Sequence, residues 1–142
     1  IDPEIVKQII MFNLDESVLM SKELFEIPCI TIAYQVLTII LNKLYGYYIP
    51  SIQGLVSFNS KIDLKISFTP LNLKFEDLCL KNVNLQSSPK LFDSLVFSCN
   101  EIYKFRKDII RNELFKNAQS RIIVISSGID NGSEIDLVNL VK

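Results

Sequence analysis

Carboxylates stand side by side at Asp15-Glu16 and at Glu76-Asp77, with Asp63 alone, and side chains of this type could serve as acid and base. That chemistry needs two carboxyls in one cleft with their pKa values pushed apart. Nothing in the spacing sets either pair into a cleft, so no catalytic residue is expected and the chain reads as a non-enzyme. The stretch Ser126-Ser127-Gly128-Ile129-Asp130-Asn131-Gly132-Ser133 is rich in small residues, which between a strand and a helix can turn backbone N–H groups toward an anion. It carries neither GxGxxG nor GxxxxGK[ST], so an ordinary strand-to-helix loop with an Asn-Gly turn is favoured, and anion or nucleotide binding is the alternative. Asn131-Gly132-Ser133 is also a glycosylation sequon, which matters only in the secretory pathway.

From Lys104 to Arg121, six basic residues (Lys104, Arg106, Lys107, Arg111, Lys116, Arg121) stand against Asp108 and Glu113. A phosphate backbone could lie along such a surplus. A solvated helix face with i,i+4 pairs such as Lys104 with Asp108 is the commoner use, so nucleic acid is not the favoured partner. Tyr45, Tyr47 and Tyr48 cluster before Pro50 and read as a packed corner rather than a base-stacking platform.

The 142 residues include no histidine. That excludes Ser-His-Asp and Cys-His nucleophile pairs, a His general base, haem ligation by His and His-containing zinc sites. Cys29, Cys79 and Cys99 are odd in number, far apart and free of CxxC spacing, which speaks against a disulfide framework or a thiolate metal cluster. They are read as half-buried thiols in a reducing compartment, so the expected location is cytoplasmic. Net charge is −1 and 49% of residues are hydrophobic, as in a chain that folds around a core rather than an acidic or polybasic tail. The most apolar stretch, Ile30 to Tyr45, falls short of the roughly 18 apolar residues of a membrane span and contains Thr31, Gln35, Thr38, Asn42 and Lys43. It reads as a buried helix, and no membrane partner is expected.

Four runs rich in Val, Ile and Phe read as strands: Gln8 to Leu14, Ile52 to Phe58, Leu64 to Phe68 and Arg121 to Ser126. The first and last are almost continuously apolar, as in central strands covered on both faces. The middle two alternate more and are joined by Asn59-Ser60-Lys61, a length suited to a hairpin. Helical patterns cover Ile30 to Tyr45, a short piece near Asn72 to Cys79, Lys90 to about Leu114, and a segment from Ser133, which can cap it. This alternation predicts an α/β fold, a Rossmann-like three-layer sandwich with a mostly parallel central sheet and one antiparallel edge strand. Ligands in such sheets bind beyond the carboxyl ends of the strands, where strand order reverses. That singles out the loops after Leu14, before Lys90 and after Ser126.

At those loops the sequence resembles the von Willebrand factor type A family. LDESVLM at 14–20 is similar to the end of the family's first strand, Asp-x-Ser-x-Ser. GLVSFNSKIDLKISFTPL at 54–71 is similar to its GLVxF strand, antiparallel edge strand and TPL turn. LFDSLVFS at 91–98 resembles the helix after the metal-binding threonine, and RIIVISSGIDNGSEID at 121–136 resembles the RIIVLTDGEDN strand and loop. The four motifs stand in order over about residues 5–142 and imply one such domain across the chain.

The resemblance implies an oxygen-ligated divalent cation, usually Mg²⁺, with a vacant position completed by a partner's acidic side chain. Carried over, Asp15 and Ser17 match the first two ligand positions. Leu19 stands at the third, Pro89 where the family has threonine, and Ser127 where it has aspartate. A degenerate, metal-free site is therefore expected, with Glu16, Asp93 or Asp130 as the only substitutes for the missing ligands. The loop residues Asp15, Ser17, Ser21, Ser88, Ser127 and Asp130 remain as candidates for binding a protein partner, with no cofactor. Members of the family inside cells commonly act as scaffolds in multi-protein complexes, and a non-catalytic scaffold is the function implied. The family pattern continues with two further strands and a helix, and the chain begins at Ile1 rather than Met, so a piece of a larger protein is expected.

Overall fold

The computed structural model describes residues 7–46, 51–70, 89–107 and 117–127. β1 (Gln8–Asp15) leads through a 3-10 turn (Val18–Ser21) and a small hairpin of β2 (Glu23–Leu24) and β3 (Ile27–Pro28) into α1 (Cys29–Gly46). Then come β4 (Ser51–Phe58), β5 (Ile62–Pro70), α2 (Leu91–Lys107) and β6 (Gln119–Ile125). The four long strands form one sheet in the order β5-β4-β1-β6. β1 runs parallel to both β4 and β6, and β4 pairs antiparallel with β5. The mostly parallel α/β sheet with one antiparallel strand is the architecture expected from the alternation of elements.

Strand residues of period two divide between two helices. Ile10, Phe12 and Leu14 of β1, with Leu55 of β4, meet Ala33, Leu37, Leu41 and Leu44, which share one face of α1 at helical spacing. On the other face Met11 and Val56 meet Ile102 of α2. Nearby, Phe68 and Phe105 pack with ring centroids 4.8 Å apart. Gly54 leaves little room for a side chain, since a Cβ there would come within 3.1 Å of both the Ile66 carbonyl oxygen and Met11 Sδ and the neighbours would have to give.

Two strands differ from their sequence reading. β4, with its alternating polar residues, is buried at every position, Ser51, Gln53 and Ser57 included. It is flanked by strands on both sides, and Gln53 Nε2 donates to Ser51 Oγ at 2.8 Å. β6, expected to be central and covered on both faces, is with β5 one of the two edge strands among the described residues, and its Val124 is exposed. Continuous apolarity marks a strand but does not say on which side of the sheet it falls. The thiols also depart from expectation, because Cys99 is exposed while Cys29 is half-buried. Cys79, the helical patterns near Asn72 and from Ser133, and the tyrosines at 47 and 48 lie outside the described residues. No helix among the described residues is long and apolar enough to cross a membrane.

A polar pin fixes α2 to the sheet. Asn13, fully buried on the face opposite α1, accepts from Ser98 Oγ at 2.6 Å and donates from Nδ2 to Ser94 Oγ at 3.2 Å. Ser94 in turn donates to the Leu91 carbonyl at 2.6 Å, so donors and acceptors alternate along the chain of bonds. A buried hydroxyl stripped of its partner costs about 1–3 kcal/mol, whereas removing both partners together is nearly neutral. Asn13→Leu is therefore expected to lower the unfolding free energy by about 2 kcal/mol. In urea titrations, adding Ser94→Ala and Ser98→Ala should restore most of that loss.

Candidate functional site

β1 is followed by a helix on one face of the sheet, and α2 covers the other, so the carboxyl end of β1 is the switch point of this sheet. Asp15 is its last residue, paired in register with Phe58 of β4, while Leu14 pairs with Ile125 of β6. The next residue stays tied to the sheet, because the Glu16 N–H donates to the Phe58 carbonyl at 2.9 Å. The turn after β4 closes on itself, Asn59 Oδ1 accepting from the Lys61 N–H at 2.8 Å. Asn59 also accepts from the Lys90 N–H at 3.0 Å, which brings the segment carrying buried Pro89 to the same edge. Two of the loops singled out from the sequence, after Leu14 and before Lys90, thus meet the turn after β4 at one end of the sheet.

Asp15 is fully buried, and its carboxylate is held by the chain itself. Oδ1 accepts from the Ser17 N–H at 2.8 Å. Oδ2 accepts twice from Ser127, from its N–H at 3.1 Å and its hydroxyl at 3.0 Å. Ser127 thereby locks the end of β6 to the end of β1. The Ser17 hydroxyl is buried and finds no hydrogen-bond partner among the described residues.

Asp15 and Glu16 do not act as a pair. Glu16, also buried, turns to Lys65 on β5 and forms an ion pair with it. Burial raises its carboxyl above the ordinary value of 4.5, and the Asp63 charge adds to that, against the hydrogen bond and charge of Lys65 and a hydrogen bond from Ser57. Ser21 lies near but faces elsewhere, its exposed hydroxyl donating to the Val18 carbonyl at 2.6 Å to close the 3-10 turn. Ser88 and Asp130 lie outside the described residues, as do 108–116 of the basic stretch and most of the small-residue loop. Within α2 Lys104 pairs with Glu101 at 3.6 Å, and Asp108 lies outside the described residues.

For the cation that the resemblance implies, the described residues offer the Asp15 carboxylate and the buried Ser17 hydroxyl, which has no hydrogen-bond partner among them. Octahedral Mg²⁺ needs several hard oxygens. Both oxygens of the Asp15 carboxylate accept from the chain. Leu19, half in solvent, and Pro89 offer no side-chain oxygen, and the Ser127 hydroxyl is spent on Asp15. Asp93 sits in the first turn of α2, where an acid complements the helix dipole. Among the described residues no three His, Cys, Asp or Glu side chains gather in a group that could hold a metal.

Sequence reasoning missed the hairpin. β2 and β3 are joined by Phe25 and Glu26, both at positive φ (53° and 66°), the geometry of a two-residue turn that normally favours Asn-Gly. It missed Lys65 as well, for which a lone cation inside LKISF was the available signal.

No protein-family model matches the chain, and no curated protein sequence matches it significantly. Solved structures do. The VWA domain of SpRpn10 superposes with a TM-score of 0.70 at 17% identity, covering 95% of this chain and 67% of that one. An uncharacterized membrane-spanning protein from Vibrio fischeri superposes with a TM-score of 0.58, also at 17% identity, over 69% of this chain. The chain spans half of that second structure. Likeness at this identity speaks of fold, and together with strand order, the two helical layers and the position of Asp15 it shows that the chain has a von Willebrand factor type A-like fold.

Proposed function

We propose that the chain is a non-catalytic protein-interaction domain whose ancestral cation site has become a structural knot. The supporting observation is the state of Asp15, a fully buried carboxylate whose two oxygens accept three hydrogen bonds from Ser17 and Ser127. Hydrogen bonds from N–H and O–H groups stabilise the charge that a dication would otherwise balance. The loop edge from Asp15 to Ser21, with Pro89-Lys90 and Ser126-Ser127, is then a rigid surface that a protein partner reads by shape and by apolar or charged contacts. The resemblance to intracellular scaffolds and the three cysteines without disulfide spacing support a location in the cell interior.

Calorimetric titration with Mg²⁺ or Mn²⁺ should give no heat of binding, and nucleotides should leave the melting temperature unchanged, since only a ligand of the folded state raises it. Sub-millimolar Mg²⁺ binding that Asp15→Ala abolishes would overturn the structural role. A clear nucleotide-dependent shift would overturn the scaffold reading.

A further inference from the structure

The hairpin tip and α2 carry surfaces that complement each other. Phe25 is 90% exposed, with Leu24 at 52% and Ile27 at 40% beside it. Both turn residues are held at positive φ without being Gly, Asn or Asp, a local strain that persists only where the surroundings impose it. Exposed Glu23 and Glu26 flank this apolar tip and outnumber exposed Lys22 at its base, so the tip is negative on balance. On the last turns of α2, Cys99, Ile102, Tyr103, Arg106 and Lys107 line a shallow groove. Tyr103 is 66% exposed, and the rim is positively charged.

We infer that the chain associates head to tail with a second copy of itself, the Phe25 tip of one copy entering the α2 groove of the next. The two surfaces lie at opposite ends of the sheet. The hairpin follows the carboxyl end of β1, whereas the groove adjoins the start of β6, where Arg106 Nη1 donates to the Ala118 carbonyl at 3.0 Å and to Ser120 Oγ at 2.8 Å. One copy therefore cannot fill its own groove, and the contact is heterologous. Charge selects this occupant. A two-fold pairing of hairpins would set Glu23 and Glu26 against their own copies, and an anionic membrane would repel them. The groove offers an aromatic wall and cations, residue types enriched at the centres of protein interfaces. The contact is separate from the loop edge and does not depend on that edge holding a partner.

Sedimentation of the 142-residue chain over a concentration series tests the inference. Association should grow with concentration and weaken about tenfold or more with Phe25→Ala, Tyr103→Ala or Glu26→Lys. All three residues are exposed, so thermal melts of the variants should match the parent and exclude misfolding as the cause. The diagnostic arm mixes Phe25→Ala with Tyr103→Ala. Each keeps one intact half, so the mixture should form a one-to-one pair and nothing larger. A chain that stays monomeric to about 1 mM, association indifferent to Phe25→Ala, or a mixture that fails to pair would each overturn the inference. So would Phe25-dependent binding to phosphatidylserine vesicles by a chain that does not self-associate.

Discussion

Lys65→Met is expected to lower the unfolding free energy by about 3 kcal/mol at pH 7, the usual scale for removing one partner of a buried ion pair. The side chains of Lys65 and Glu16 are only 10% and 4% exposed, so the loss strands a carboxylate in a site that water barely reaches. Asp63 adds repulsion that Lys65 had offset. For a domain whose net stability is about 5–15 kcal/mol, the effect is large. The companion variant Glu16→Gln with Lys65→Met removes both charges. It should lie within about 1 kcal/mol of the parent, because a neutral pair carries no uncompensated charge. A double variant as unstable as Lys65→Met alone would show that packing of the lysine stem, not charge, was lost.

The same pair predicts a pH dependence. Burial outweighs Lys65 and raises the folded Glu16 carboxyl above 4.5, so the folded chain holds that proton more tightly than the unfolded chain does. The stability this confers is fully present below 4.5 and is lost as pH rises through the folded value. Glu16→Gln should flatten that part of the curve. Without Lys65 the folded value climbs further, so the Lys65→Met deficit should be greatest at pH 7 and shrink as pH falls toward 4.5. Urea unfolding of the four chains across this range measures both effects.

Asp15→Ala is expected to cost about 3 kcal/mol as well, through lost acceptors rather than a lost ligand. Three donors converge on this carboxylate, and a hydrogen bond to a charged group contributes about 1.5–3 kcal/mol. The Ser17 N–H belongs to a fully buried residue and would be left unpaired, while exposed Ser127 can turn to water, which limits the total. Ser127→Ala keeps the backbone donor and should cost only about 1 kcal/mol. The Asp15→Ala deficit should be the same with added Mg²⁺ or with EDTA. A parent chain that Mg²⁺ stabilises and EDTA destabilises would return Asp15 to the role of metal ligand.

The loops that carry Asp15, Ser17 and Ser127 were legible because they follow apolar runs that read as strands, whose ends in an alternating α/β chain gather on one edge, and the three residues were singled out there by the resemblance to the family's motifs. Their arrangement was not legible. That Ser127 donates twice to Asp15 depends on β6 lying beside β1 in a register that pairs Leu14 with Ile125. Lys65 stands 49 residues from Glu16, and Ser94 and Ser98 stand 81 and 85 from Asn13, distances at which no local pattern announces a partner. The hairpin escaped because its strands are two residues long and its turn carries Phe-Glu in place of the Asn-Gly signal.

By itself the amino-acid order determined the succession of strands and helices, the apolar face of α1 and the exclusion of histidine chemistry. Each of these depends on residue type and on neighbours within a few positions, where sterics and the periods of helix and strand operate. Only the tertiary structure decided which polar residues are buried and what satisfies them. Gln53 in an alternating strand is fully buried while Val124 in an apolar one meets solvent, because burial follows from strand order and from the helices laid over each face. Those are properties of contacts between distant segments, and they bring Ser127, which follows β6, to the Asp15 carboxylate.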